Sequence, residues 1–198
     1  MSATRRLFIG LRLPADTASA LHDEAAGALA SVPHRALRIA AARDLHLTLV
    51  FLGDTAEDRI APLAQGLARA AASSPALDLE IRGAGAFPSL ARPRVLWAGV
   101  RMLRDGDRAL DGLRAGIVAA VRSAGCELAP RETEEPFRPH LTLARCRFKL
   151  RQPLPRAFAE LGFHAQWPAS ELVLFESRLE SPAERYPALG TWPFGATM

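Results

Sequence analysis

The sequence predicts an α+β fold of two pseudo-symmetric lobes, each with an antiparallel sheet and flanking helices, around an active-site cleft. The first observation is a repeat: a strand pattern, a helix pattern and the tetrapeptide His-Leu-Thr-Leu follow one another at 5–49 and again at 94–143. Such self-similarity indicates two copies of one supersecondary unit. The second observation is a set of further strands outside the repeat, which favours α+β over strict alternation.

Length and composition fit a single domain. The chain has 198 residues, of which 49% are hydrophobic and 23% are charged. That is enough for one substantial core and is typical of a globular protein. We expect one domain over 1–198 with two internal repeats, roughly 5–90 and 94–180.

The elements of the first repeat follow from hydrophobic spacing and from the prolines that interrupt it. They are a strand over 5–13, a helix over 15–32, a strand over 45–52, a helical face made by Ile60, Leu63 and Leu67, and a short strand over 77–81. The Gly-Ala-Gly-Ala-Phe-Pro segment at 83–88 lacks the setting of a dinucleotide-binding loop and is predicted to be a turn.

The second repeat and the C-terminal region are predicted in the same way. The elements are a strand over 94–100, a helical face made by Leu110, Leu113, Ile117 and Val121, a strand over 140–146, and two strands over 158–167 and 171–179 that form a hairpin around Pro168. We predict a basic, proline-bearing loop over 147–155 and an irregular segment over 186–194.

The charged residues favour a small anionic substrate. The formal net charge is +4, the sequence pI is about 10.0, and Lys149 is the only lysine among 25 basic residues. Arginine presents a planar fork of donors that suits phosphate oxygens, although a general bias toward arginine codons is the simpler explanation of the excess as a whole. The charges are scattered, which argues against a long duplex-binding surface.

Cysteine usage and hydropathy lead us to expect a cytoplasmic protein that does not bind membranes, and we also expect a monomer. Cys126 and Cys146 fit neither a disulfide framework nor a zinc site by their spacing. The apolar run near the N-terminus is too short for a signal peptide. No stretch approaches the roughly 18 apolar residues of a transmembrane helix.

The repeated tetrapeptide carries the chemistry. Residues two apart in a strand share a face, so His46 projects with Thr48, and His140 with Thr142. If the lobes face each other, two imidazoles and two hydroxyls converge on one cleft. Histidine titrates near neutral pH, so one ring can accept a proton from water while the other donates one to a leaving oxygen. This set suits phosphodiester hydrolysis without a metal or a cofactor.

Chance accounts poorly for two such motifs. The pattern of His, apolar, Ser or Thr, apolar is expected about 0.1 times in a chain of this composition, and two matches about 0.005 times. One motif alone would be read more simply as a strand whose histidine is a satisfied polar group. Two identical tetrapeptides at equivalent repeat positions favour the catalytic interpretation.

The sequence resembles the two-histidine phosphoesterases, and within them the bacterial and archaeal RNA 2',3'-cyclic phosphodiesterases, or 2'-5' RNA ligases. Segments 45–53 and 139–145, which contain the two motifs, match the family, and so do 6–11, 13–14, 87–88, 95–97, 172–177 and Tyr186. The resemblance implies metal-independent hydrolysis of 2',3'-cyclic phosphates on RNA ends or nucleotides to 2'-phosphates, with possible reverse 2'-5' ligation. It suggests His46 as the acid that protonates the departing 3'-oxygen and His140 as the base.

Three neighbouring positions leave questions open. Phe51 and Arg145 each lie five residues after a motif histidine, and in a regular strand this odd offset places them on the leucine side. The resemblance instead places Arg145 in the cleft as a phosphate ligand. Phe51 either stacks on a base or packs in the core. Where the family has a tryptophan before the first motif, this chain has Ile39.

Three other functions are compatible with the same residues. One is an RNA-end binding module with vestigial catalysis, which the intact His and Thr of both motifs disfavour. Another is a phosphodiesterase acting on small cyclic nucleotides or 2'-5' oligonucleotides. A third makes the two histidines metal ligands, and the lack of a nearby carboxylate or third histidine on their faces weakens it.

Overall fold

A computed structural model describes residues 3–103, 108–129, 132, 136–178, 181 and 184–195. The strands are β1 (Thr4–Arg12), β2 (Leu37–Ile39), β3 (His46–Ala56), β4 (Leu77–Phe87), β5 (Val95–Met102), β6 (His140–Cys146), β7 (His164–Ala169), β8 (Glu171–Glu176) and β9 (Ala188–Pro193). The helices are α1 (Ala15–Ala28), α2 (Ile60–Ala72), α3 (Arg108–Ser123) and the short α4 (Arg156–Ala159). The α+β class predicted from the sequence is confirmed.

The strands form one curled antiparallel sheet with both motif strands at its centre. The strand order is β7-β4-β5-β6-β3-β1-β8-β9, and β2 also pairs with β6. Strands β3 and β6 meet through a single pair, Leu47 with Leu141. We call β3, β1, β8 and β9 the β3 half of the sheet, and β6, β5, β4, β7 and β2 the β6 half.

The leucines of both motifs anchor the motif strands in the core. Leu47, Leu49, Leu141 and Leu143 are at most 1% exposed. They pack with the apolar faces of the helices in one continuous hydrophobic cluster. The alternate residues of the motifs, the histidines and threonines, are half-buried on the opposite face. The burial of the leucines therefore fixes which face of the sheet carries the polar side chains.

Each motif strand contains a bulge at the same place. In the β1–β3 ladder Ile9 pairs with Val50 and Gly10 with Thr48, so Leu49 is an extra residue in β3. In the β5–β6 ladder the pairs on either side of a register shift involve Ala144 and Thr142, so Leu143 is the extra residue in β6. A bulge puts two successive residues opposite one and resets the alternation of faces.

The bulges overturn the argument from odd spacing. Leu49 and Val50 are both buried, as are Leu143 and Ala144, and the following residue in each strand is not. Phe51 and Arg145 therefore return to the face that carries the motif histidines. A regular strand would have turned both side chains toward the core.

Two predictions about the chain's second half and end are wrong. The strands predicted as a hairpin lie at opposite sides of the sheet, because β7 pairs with β4 whereas β8 pairs with β1 and β9. The segment 186–194, predicted to be irregular, contains β9. Pro168 lies within the edge strand β7, where a residue without an N–H is tolerated.

Three other local predictions need correction. Strand β4 continues to Phe87 through the glycines of the predicted turn, with a register shift between Ile81 and Ala84 and a positive φ of 72° at Gly83. The strand predicted over 158–167 begins instead with α4 and becomes extended only at His164. Strand β2 was not predicted. In the described part of the chain no helix is long and apolar enough to cross a membrane.

The bulge in β3 requires a glycine on its partner strand. A Cβ on Gly10 would collide with the carbonyl oxygen of Leu47. We predict that Gly10→Ala lowers the free energy of unfolding by about 2 kcal/mol, the usual scale of overpacking. The matched control is Gly27→Ala in α1, where a Cβ meets nothing within 4 Å. This substitution should stabilise the helix by about 0.5–1 kcal/mol. Urea unfolding measures both, and equal effects would contradict the steric argument.

Candidate active site

Both motif histidines are oriented by the same kind of hydrogen bond to a backbone carbonyl. His46 Nδ1 lies 2.6 Å from the carbonyl oxygen of Asp44. His140 Nδ1 lies 2.7 Å from the carbonyl oxygen of Arg138. In each case the acceptor is two residues earlier, just before the strand begins. A carbonyl can only accept, so Nδ1 carries the hydrogen and Nε2 is the ring nitrogen that exchanges protons with a substrate.

Aromatic side chains enclose His46. Its ring centroid lies 4.6 Å from Phe8, 5.6 Å from Phe175 and 4.8 Å from Tyr186, the last in an edge arrangement. Phe8 and Phe175 stack on each other at 4.9 Å. We call Phe8, Phe175 and Tyr186 the aromatic wall. It comes from β1, β8 and the segment before β9, so the β3 half of the sheet builds it.

The surroundings of His140 are similar in kind but smaller. Its ring lies 5.0 Å from Phe87 in an edge arrangement and 6.5 Å from Trp97. Trp97 has room for its indole because its partner across the ladder is Gly85, where a Cβ would collide with the ring. The β6 half thus supplies its own aromatic neighbours to its own histidine.

The remaining predicted site residues lie on the same face. Thr48 and Thr142 are half-buried beside their histidines. Arg145 is exposed, and its positive charge acts on His46, as does that of His140. The structure therefore brings His46, His140 and Arg145 within electrostatic reach of one another across the junction of β3 and β6.

Phe51 lies at the margin of the aromatic wall. It is half-buried and packs with Tyr186 against a small apolar cluster around Phe8 and Phe175. The guanidinium of Arg6 stands 4.9 Å from the centre of its ring. This position combines packing with partial exposure, so contact with a substrate base stays a prediction.

A comparison with known protein families assigns the chain to one superfamily. The 2'-5' RNA ligase superfamily matches residues 12–180. The chain belongs to this superfamily. The matched segment contains both histidine motifs, Phe51 and Arg145, whereas Phe8 and Tyr186 of the aromatic wall lie just outside it.

Individual members of the superfamily resemble the chain over most of its length. It is 30% identical over 194 residues to the RNA 2',3'-cyclic phosphodiesterase of Escherichia coli K12, covering 97% of this chain and 98% of that protein. It is 33% identical over 190 residues to the one of Thermus thermophilus, covering 93% and 87%. The match to the Geobacillus stearothermophilus protein of the same name is 31% over 188 residues and 94% of this chain, which spans 56% of that protein.

Solved structures support the same fold. The crystal structure of E. coli LigT complexed with 3'-AMP superposes with a TM-score of 0.73 at 28% identity, covering 96% of this chain and 98% of that chain. The crystal structure of TT0787 of Thermus thermophilus also gives 0.73 at 28% identity, covering 98% of this chain and all of that chain.

The environment of His46 favours its neutral form. The pKa of His46 is lowered to about 4, mainly by burial and to a smaller extent by the positive charges of Arg145 and His140. The hydrogen bond to the Asp44 carbonyl opposes this change. Burial also raises the pKa of the neighbouring Asp44 carboxyl, against the effect of Arg43, Arg185 and Arg38. The desolvated ring is thus held in a site that carries positive charge.

Sequence reasoning gave no role to the aromatic residues around the histidines. Phe8, Phe87, Trp97, Phe175 and Tyr186 all lie in segments that carry the family resemblance, and this was the available signal. Their contacts depend on strands that are distant in sequence, so spacing alone could not show them. Among the described residues no group of three or more His, Cys, Asp or Glu side chains could hold a metal ion.

The low pKa of His46 makes stability depend on pH. The unfolded chain binds a proton at this histidine near pH 6.5 and the folded protein only near pH 4, so acid favours unfolding between these values. Above about pH 6.5 the ring is neutral in both states and does not destabilise the fold. We predict that the free energy of unfolding falls by up to about 3 kcal/mol as the pH falls from about 6.5 to about 4.

Comparing variants isolates this effect from the titration of carboxyl groups. His46→Gln should lose the additional acid sensitivity, whereas His34→Gln, at an exposed histidine, should keep it. Urea unfolding at several pH values, together with an NMR titration of the ring, measures both. A His46 ring that titrates at pH 6.5 in the folded protein would contradict the prediction.

Proposed function

We propose that this protein hydrolyses 2',3'-cyclic phosphates on RNA ends or nucleotides and leaves a 2'-phosphate. The observation that carries the proposal is the matched pair of histidines, each held through Nδ1 by a carbonyl two residues earlier. The name RNA 2',3'-cyclic phosphodiesterase, borne by relatives that align over nearly the whole chain, supports it.

The proposed reaction uses one histidine as base and the other as acid. The base removes a proton from water as its oxygen bonds to phosphorus, and the bond from phosphorus to the 3'-oxygen breaks. The acid gives its proton to that oxygen, which leaves as the 3'-hydroxyl, and the phosphate stays on the 2'-oxygen. Positioned acid and base groups each contribute about 10²–10⁴-fold.

The family resemblance assigns the acid role to His46. Because the pKa of His46 is low, this role requires that the ring gain a proton before the reaction. An acid must carry a proton before it can donate one, yet at pH 7 this environment holds the ring neutral. A phosphodiester brings a negative charge next to Nε2, which raises the pKa of a neighbouring histidine. We propose that substrate binding itself loads His46 with its proton. A His46 pKa that stays low in the presence of a 2'-nucleotide would reverse the two roles.

The other site residues would bind the phosphate. The Arg145 guanidinium can form two parallel hydrogen bonds to phosphate oxygens and offset charge that gathers in the transition state. The hydroxyls of Thr48 and Thr142 stand beside the histidines and can donate to the same group. Phe51 could contact the base from the margin of the aromatic wall.

Some expectations extend beyond these observations and stay predictions. They are metal independence, reverse 2'-5' ligation, the cytoplasmic location and the monomeric state. We also propose that the two halves of the sheet are the two lobes expected for a single domain with repeats at 5–90 and 94–180. Strands β2 and β4 of the first segment pair in the β6 half, and β8 of the second segment pairs in the β3 half. Each half therefore includes part of the other segment.

Single substitutions of the histidines test the proposal. His46→Ala and His140→Ala should each reduce turnover of an RNA ending in a 2',3'-cyclic phosphate by about two to four orders of magnitude. The double variant should be little worse than either single variant, because the two residues act as a unit. The control His34→Ala should keep full activity.

The product and the metal requirement are read in the same assay. Phosphorus NMR should show a 2'-phosphate, and EDTA should leave the rate unchanged. An RNA-end binding module would bind this substrate without turnover. A preference for small cyclic nucleotides or 2'-5' oligonucleotides would appear as a higher kcat/KM on those substrates. Near wild-type rates in either histidine variant would rule out the two-histidine mechanism.

A further inference from the structure

Beyond its single pair with β6, strand β3 has an edge that no strand in the described part of the chain covers. The edge begins after Leu47, where β3 and β6 separate, and it includes the bulge at Leu49. Backbone groups in such a stretch need other hydrogen-bond partners, since a buried unpaired group is costly. Two side chains from outside the β3 half of the sheet and the backbone N–H of Ala129 provide partners at Leu49 and Phe51.

Arg114, on α3, and Glu132 form an ion pair against this edge. Arg114 Nη2 lies 3.0 Å from Glu132 Oε2. Arg114 Nε donates to the carbonyl oxygen of Leu49 at 3.2 Å. Glu132 Oε1 accepts from the backbone N–H of Phe51 at 3.2 Å. The pair therefore contacts the chain at the bulge residue and at the residue that the bulge returns to the site face.

Further contacts hold the pair in place. Arg114 also donates to the backbone carbonyl oxygen of Glu132 at 3.3 Å, and its guanidinium stands 4.9 Å from the ring centre of Phe137. The backbone N–H of Ala129 donates to the Phe51 carbonyl oxygen at 3.4 Å. The Arg114 and Glu132 side chains are only 20% and 10% exposed. A pair so well enclosed is screened less by solvent than a surface ion pair.

In the second motif strand, β6, backbone groups pair with the equivalent edge. Leu143 is the bulge residue of β6, and its carbonyl oxygen accepts from the N–H of Ala40 at 2.8 Å. Strand β2 then continues along that edge and pairs Arg38 with Arg145. Leu49 and Leu143 hold equivalent places, three residues after their histidines. Arg114 and Glu132 thus do for β3 what β2 and Ala40 do for β6.

We propose that Arg114 and Glu132 are positioning residues that fix the bulge of β3 and, through it, Phe51 at the edge of the aromatic wall around His46. The proposal rests on the proposed function for its effect on turnover. Its structural part does not, because it concerns the backbone of β3 alone. Neither side chain is assigned a contact with the substrate.

A mutant cycle with Phe51 tests whether the pair acts through that residue. Glu132→Ala should lower kcat/KM by about tenfold, since small displacements at a site have large effects on rate. In a Phe51→Ala background the same change should cost less than about twofold, because coupled residues are non-additive. Glu132→Gln keeps an acceptor for the Phe51 N–H and should restore most of the activity. Arg114→Lys keeps the charge but loses the planar fork of donors, so this variant should retain less kcat/KM than Glu132→Gln does.

The matched control is Glu80→Gln. Glu80 is also a buried carboxylate bound to an arginine, Arg101, and to His164, on strands β4, β5 and β7. Its loss should lower stability without changing kcat/KM per folded molecule. If Glu132→Ala lowers kcat/KM equally with and without Phe51, the pair does not act through Phe51 and the proposal is overturned.

Amide hydrogen exchange separates this proposal from the proposed function. Exchange at the Phe51 N–H should accelerate at least about tenfold in Glu132→Ala and little in Glu132→Gln, while exchange at the Ala40 N–H stays unchanged. Unchanged exchange at Phe51 would overturn the positioning role even if turnover falls. A wild-type protein without cyclic phosphodiesterase activity would refute the proposed function, and the exchange result would still decide the positioning role.

Discussion

Strands β3 and β6 touch through one pair, Leu47 with Leu141, and diverge after it. Both leucines are completely buried, so the junction is held by the core and not by polar groups at the surface. Because alternate residues of a strand face opposite sides, the buried leucines hold His46 and His140 on the other side of the same junction. The electrostatic effect of His140 and Arg145 on His46 follows from that arrangement.

The bulges extend this arrangement by one more residue in each strand. Without them, the residue five positions after each histidine would face the core, which an arginine could occupy only at high cost. The extra residue brings Arg145 to the face that carries the motif histidines and places Phe51 beside the aromatic wall. Each strand has its own bulge at the equivalent place, but the hydrogen-bond partners of the neighbouring backbone differ. Strand β2 supplies them for β6, and the Arg114–Glu132 pair supplies them for β3.

Much of this could be read from the sequence, and the rest depended on long-range pairing. The motif histidines and the helices over Ile60–Ala72 and Arg108–Ser123 came from local spacing, which a single segment contains in full. The bulges were missed, although the adjacent apolar residues Leu49 and Val50 interrupt the alternation and were a usable signal. The pairing of β7 with β4 and of β8 with β1 left no trace in local patterns, so a hairpin was predicted instead.

The two histidines are alike in backbone geometry and unlike in environment. A carbonyl two residues earlier orients each ring, but His46 is also packed against the aromatic wall, and burial is the main cause that lowers its pKa to about 4. Sequence alone treats the motifs as equivalent. The difference arises from Phe8, Phe175 and Tyr186, which come together only when β1, β8 and the segment before β9 assemble.

The most direct test is a crystal structure of the protein with a 2'-nucleoside monophosphate, the product of the proposed reaction. We predict that Nε2 of His46 and Nε2 of His140 both lie about 2.6–3.2 Å from oxygens of the same phosphate. We also predict that the Arg145 guanidinium binds that group. A phosphate that contacts only one of the two histidines, or binds away from the junction of β3 and β6, would contradict it.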